Sequence, residues 1–413
     1  MPIPTRLPTP PRHATSLLIL AMVSWTGCDT GGAAGHGEEI LVATPLTAPF
    51  TDVLLQAIAP VSPDVVWVSG HGGTWARTED GGATWVHSVV QGHADLQFRD
   101  IAAVDAGTAV LLSSGTGPLS RIFRTEDGGV SWDETFVMDH PEGFLDCMDF
   151  VDGTLGFAYG DEVDGALYLL RTEDGGRSWT RVPPETLPAA LPGEGGFAAS
   201  GTCLSASPEG RISVATGNGS RPRLLTSHDR GLTWTVQDLP LVSAEAAGAT
   251  SVEMGPDGFG FVAGGAIGLP FAGARVAVSS DAGATWTAAG EPALIGPIYG
   301  AARANGAGGH LVAAAGPGGI SWSPDGGASW RVADTRSHWA VAFTDDGTGW
   351  AVGPRGRVTR LGFEHPEVRP GDLVVVGGRL FSGMEDEAIS NPGVLIRDGV
   401  ILAMGFDDRN VPE

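Results

Sequence analysis

The chain has 413 residues, too many for one ordinary domain and enough to bury a large core. Hydrophobic residues make up 42%, charged residues only 17%, and 63 Gly, 29 Pro and 12 Trp suggest many short strands joined by turns. The formal charge is −24 and every basic residue is Arg. That balance excludes nucleic acid as a partner, because phosphate neutralisation needs a basic face. It also excludes adsorption to anionic lipid. Arg without Lys, in so Gly-, Ala- and Pro-rich a chain, fits a high-GC bacterial genome.

Residues 1–27 read as a targeting segment rather than as part of the fold. Arg6, Arg12 and His13 give a positive start, and Leu17 to Val23 give an apolar run. A bilayer-spanning helix needs roughly 20 apolar residues, so this run is too short. A charged start, a short apolar core and small residues before a cut site make a secretory signal. Thr26-Gly27-Cys28 at the cut site resembles a bacterial lipoprotein signal, with Trp25 where that family prefers Leu. The resemblance implies that Cys28 is acylated and becomes the mature amino terminus. The expected product is an exported lipoprotein facing the periplasm or cell exterior, touching the membrane through its lipid alone. Residues 28–38, rich in Gly and Ala, then read as a flexible tether.

One pattern recurs six times between residues 78 and 330. Its shared form is [ST]-x-D-x-G-x-[ST]-W, with Asp80, Asp127, Asp174, Asp229, Asp281 and Asp325 about 49 residues apart on average. Gly82, Gly129, Gly176, Gly231, Gly283 and Gly327 follow two positions later. Trp85, Trp132, Trp179, Trp234, Trp286 and Trp330 close each copy. Asp accepts backbone amides two or three residues on, as in an Asx turn. Gly supplies φ > 0 at little cost, and the indole buries apolar area as the chain re-enters a strand. Each Asp is therefore expected to cap a turn, and none to ligate a metal.

Alternating apolar sequence precedes each copy, so a unit holds three to four antiparallel strands with the motif between the third and fourth. Such a unit cannot bury both faces alone and must stack on its neighbours. Strand groups start near 54, 97, 145, 196, 248, 298 and 338, which predicts an all-β, seven-bladed propeller over 39–363. The seventh group has three strands and no Asp motif. Residues 39–43 are expected to supply its missing outer strand and latch the ring.

The motif is similar to the Asp-box of bacterial neuraminidase repeats. Gly-Trp-Ala-Val-Gly at 349–353, combined with the Asp-box copies, resembles the photosystem II stability and assembly factor family of seven-bladed propellers. That resemblance covers about 40–362 and implies a fold and a partner-binding face rather than a chemistry. In that family an Arg-bearing face meets partners. Arg99, Asp146, Arg355 and Arg357 are the charged positions here nearest the ends of inner strands, and they form the candidate binding face.

Catalytic constellations are incomplete. Sialidases with Asp-boxes need three Arg, a Tyr paired with Glu, and an acidic Asp, because a carboxylate is clamped by bidentate guanidinium groups. Only Tyr159, Tyr168 and Tyr299 exist, and Tyr299 has just Glu291 and Arg303 near it in sequence. No nucleophile elbow, His-Glu-x-x-His or EF-hand spacing occurs. His71, His87 and His93 sit at loop-like spacing. No cofactor is expected.

Cys147 and Cys203 take nearly equivalent places on the inner strands of blades three and four. A bridge needs Cα atoms within about 7 Å. Both a disulfide and two packed thiols are consistent with the sequence.

After a polar, Pro-rich linker at 364–371, residues 372–413 change character. Gly377-Gly378-Arg379 and Val394-Leu395-Ile396-Arg397-Asp398-Gly399 resemble the opening β-segment of metal-dependent amidohydrolases. That family's metal-binding His-x-His comes later in its chains, and no His follows His365 here. The segment is therefore expected to be inactive alone, as a truncated piece. The expected function is that of a non-catalytic protein-binding or assembly scaffold. A glycan-binding or sialidase-like propeller is the rival, and a fragment of a hydrolase acting on C–N bonds is the third reading.

Overall fold

The computed structural model describes residues 40–364, apart from 270–272 and 305–309, and short strands between 373 and 406. The signal segment, the tether with Cys28, and residues 365–372 lie outside the described residues. Seven four-stranded antiparallel sheets follow one another along the described chain. Their inner strands are Leu55–Pro60, Phe98–Ala103, Leu145–Phe150, Leu204–Ala206, Ala247–Met254, Gly300–Ala304 and Ala340–Phe343. The sequence set the fourth blade near 196, but its inner strand starts only at Leu204. The residues before it do something else.

The ring is closed by its two ends. Ile40–Leu46 pairs antiparallel with Arg357–Glu364, from Ile40 opposite Glu364 to Leu46 opposite Val358. It is the outer strand of the seventh blade, the place the sequence assigned to it. Ile40 and Leu41 are buried in a cluster with Trp322 and Leu361. Closure gives Arg357–Glu364 a partner on its outer side and completes the seventh blade as a four-stranded sheet.

Every position of the Asp motif has a bonded role, as the second copy shows. Asp127 Oδ1 accepts the Ser131 N–H at 2.9 Å, and Oδ2 accepts the Ser131 hydroxyl at 2.6 Å. The Thr125 hydroxyl donates to Asp127 Oδ1 at 2.8 Å and accepts the Gly129 N–H at 3.0 Å. The same bonds recur in the other five copies. The carboxylate thus reaches the amide four residues on in every copy and, in the fourth, the expected amide three residues on as well, Leu232 N–H to Asp229 at 3.1 Å; the two hydroxyl positions complete the loop. These donors hold the Asp127 carboxyl down to about 2, the Ser131 hydroxyl contributing most.

The motif also joins blades. Trp132 lies 5.7 Å from Trp75 and 6.2 Å from Trp67, both in the preceding blade. Trp234 and Trp330 each lie 6.1 Å from Phe157 and Phe261 of the blade before. Arg77 and Arg171 donate to backbone oxygens of the next blade, Ala106 and Arg230. Residue spacing that looks like a local turn is therefore the glue between units.

Beyond the propeller, Leu373–Val376, Gly393–Arg397 and Val400–Phe406 form a three-stranded antiparallel sheet. The remainder of 372–413 is mostly outside the described residues.

Candidate functional site: a blind cup in the propeller channel

The inner strands surround a channel, and the segment before Leu204 crosses it. Arg99 of blade 2 donates to Ala198 O at 3.2 Å, and Ser200 donates to Tyr299 O, at the entry to blade 6, at 2.7 Å. Gly196 N–H donates to Asp146 of blade 3, and Val252 N–H of blade 5 donates to Thr202 O at 2.9 Å. Only a segment that runs across the axis touches blades this far apart around the ring. Gly195–Thr202 is a plug.

Both ends of the plug are fastened. Cys203 is bonded to Cys147 with Cα atoms 5.8 Å apart, inside the range a disulfide spans. At the other end Glu194 is wholly buried and receives Arg223 through two hydrogen bonds, Nε–Oε1 being 2.8 Å. Gly195 pairs with Gly217 through mutual N–H···O bonds. Gly195 and Gly196 are needed here for space, because a Cβ on the first would overlap the Asp161 carboxyl and on the second would press on Asp146.

The plug makes the channel a cup of about 680 Å³. Ser200 and Thr202 lie at its floor, and Met148, Val252, Ala302 and Phe343 are among its walls. It opens where the inner strands end. First and third strands of a blade run the same way, so this is also the face that carries the Asp turns.

Five carboxyls line the cup, those of Asp100, Asp149, Glu209, Glu253 and Asp345, and the three buried ones, Asp100, Asp149 and Glu253, each hold two inner strands together. Asp100 accepts the Met148 N–H at 2.6 Å, Asp149 the Ala206 N–H at 2.7 Å, and Glu253 the Arg303 N–H at 2.7 Å. Burial raises Asp149 to about 6 and Glu253 to about 7, and it pushes Asp100 well above the usual carboxylate range. The Arg303 guanidinium answers only Glu253, and only from a distance, its charge partly offsetting the effect of burial there. It turns to Asp257 at 2.8 Å and lies 5.2 Å from the Phe259 ring. Among the described residues, no three His, Cys, Asp or Glu side chains converge as a metal cage.

Comparison with solved structures gives 880 similar chains. YCF48 bound to a D1 peptide is 18% identical with a TM-score of 0.53, covering 80% of this chain and 96% of its own. The fold is a seven-bladed propeller of the YCF48 kind. YCF48 from Cyanidioschyzon merolae is 16% identical with a TM-score of 0.56, covering 77% of this chain and 98% of its own. A streptogramin B lyase is 10% identical with a TM-score of 0.58, covering 78% and 98%. The architecture is thus shared by a peptide-bound protein, YCF48, and a lyase. No family profile and no curated protein sequence matches the chain.

The candidate binding face does not assemble as the sequence suggested. Asp146 is 2% exposed and sits beneath the plug, so no partner meets it while the plug is seated. Arg99 is turned inward to the plug. Arg357 donates to Ser337 O, and only Arg355 is exposed. Of the candidate sialidase residues, Tyr299 packs on Trp339, while Glu291 pairs with Arg275 rather than with Tyr299.

Sequence reading also missed a repeated bulge. The register slips after Leu55, Phe98, Leu145 and Ala249, leaving Gln56, Arg99, Asp146 and Thr250 as the extra residues. Bulges re-aim side chains. Here they turn Arg99 and Asp146 to the plug. The available signal was a polar residue following a large or small apolar one at the same place in four inner strands.

Proposed function

We propose that this protein is an exported, lipid-anchored scaffold that docks a partner protein at the mouth of the cup. The blind cup carries the reading. Its buried carboxyls are occupied in joining strands, so what it offers is shape, apolar wall and acidity rather than a reacting group. Among the described residues, no guanidinium hydrogen-bonds to Asp149 or Glu253 within the cup, Arg303 being turned to Asp257, so a partner segment bearing a basic side chain fits it best. A propeller of the same fold, YCF48, holds a D1 peptide, which supports docking of an extended segment. The lipid at Cys28 keeps the scaffold at the membrane, and the overall charge of −24 favours basic partners over anionic surfaces.

Two readouts on one set of strains test this. Fatty-acid labelling is expected to mark the wild type and not Cys28→Ser; equal labelling of both removes the anchor. Ala302→Trp fills the cup, and it is expected to abolish cross-linking of the partner in intact cells while the protein still folds. Undiminished cross-linking would place docking elsewhere.

A further inference from the structure

The buried groups around the plug do not balance in charge without an added proton. Arg99 and Arg223 bring two positive charges. Asp146, Asp161 and Glu194 bring three carboxyls, which together with Arg223 surround the buried Tyr159 hydroxyl, while Arg99 faces Asp146. One proton makes the set neutral, and it has a place. Asp146 and Asp161 lie against each other beneath the plug, where one proton can be shared between them. Asp161 Oδ1 is buried, and no N–H reaches it. Two ionised carboxylates cannot share such a site, since each is deprived of water and repels the other.

That shared proton lies where the plug is held. Both carboxyls accept the Gly196 N–H, and Arg99, which answers the pair's single negative charge, holds Ala198 O two residues on. Between its fastened ends the plug depends mainly on these bonds, on the Gly195–Gly217 pair and on Ser200 and Thr202.

We propose that Gly195–Thr202 is a proton-latched plug: it is seated while Asp146 and Asp161 share one proton, and it leaves the channel when they lose it. Release turns the blind cup into a channel open towards both faces, with the strap still tied at Cys203 and Glu194. The other groups facing the pair are accounted for. Glu162, at the edge, accepts the Gly165 and Gly193 N–H groups and adds repulsion to Asp161. His71 lies on the far side of Arg99, which with burial lowers its proton affinity, so it brings no charge that replaces the shared proton at neutral pH.

The sign follows from linkage. Burial, ahead of mutual repulsion, raises the Asp146 carboxyl well above its ordinary value, and burial raises Asp161 to about 6. Seated, the pair keeps a proton that the released, solvated carboxyls lose above about pH 4. Stability of the seated state is therefore full below about pH 4 and falls as pH rises through the raised values. The proposal does not depend on which partner occupies the cup.

Hydrogen exchange of the full oxidised chain, read by mass spectrometry on peptides covering 194–203, tests it. After correction for intrinsic exchange, plug protection is expected to fall as pH rises, by about tenfold per pH unit above about pH 6, where the seated pair holds one proton and opening releases it. Peptides from Ile40–Leu46 serve as the control and are expected to stay level. Asp146→Asn removes the carboxyl that keeps the proton above that pH and is expected to flatten the plug profile. A level wild-type profile, a slope shared by the control peptides, or an undiminished slope in Asp146→Asn overturns the proposal. Should Asp146→Asn not fold, the wild-type slope against the control decides alone.

Discussion

The Cys147→Ala, Cys203→Ala double variant is expected to be about 4 kcal/mol less stable than the oxidised protein, on the chain-entropy scale for a loop of this length. The bond closes a separation of 56 residues, from the inner strand of blade 3 to the residue before the inner strand of blade 4. Both sulfurs are fully buried, so Ala rather than Ser keeps the comparison free of a stranded hydroxyl. The loss has two parts. The unfolded chain regains the freedom of the closed loop, and the plug loses its covalent end. Urea unfolding separates them: the first lowers the midpoint of the whole transition, and the second shows as faster exchange in 194–203 before that midpoint. A variant with an unchanged midpoint would show that packing alone seats Cys203. Because the sulfurs are inaccessible, mild reductant is expected to leave the native protein oxidised.

How far the sequence reveals this molecule depends on how local each interaction is. The Asp motif was legible because its bonds span at most four residues, from Thr125 to Gly129 or Asp127 to Ser131. The ring closure was legible by elimination, since the last strand group lacked a partner and an alternating apolar strand stood near the start. The plug was not. Gly195-Gly196-Phe197-Ala198-Ala199-Ser200 carries no period, and its decisive contacts, Arg99 to Ala198 and Ser200 to Tyr299, each join residues 99 apart. Charged residues near inner-strand ends were read as surface for the same reason. Asp146 and Arg99 become interior only once another blade's loop covers them. The blade interface was half legible: Gly at the second position after Asp was expected for its backbone angle, but not for the ring packed against it.

That second role of the glycine separates two effects of equal appearance. Gly129 has φ of +89° and Gly92 has φ of +82°, so any side chain is strained at either. Nothing lies within 4 Å of a Cβ at Gly92, whereas at Gly129 the methyl would overlap the Trp75 ring. Trp75 is 2% exposed and in contact with both Trp67 and Trp132, so it has no empty space to move into. The left-handed backbone costs a non-Gly residue roughly 1–2 kcal/mol, part of which is returned by the stiffer unfolded chain. Gly92→Ala is therefore expected to cost about 1 kcal/mol. Gly129→Ala adds overpacking of roughly 1–3 kcal/mol and is expected to cost about 3 kcal/mol in all. Both values are read from denaturant midpoints at constant m. If the two variants lose equal stability, the motif glycine serves its turn alone, and the contact between blades through Trp75 gives way freely. If Gly129→Ala loses far more, the spacing of the motif is set as much by the neighbouring blade as by its own turn, which is why its Gly and Trp recur together.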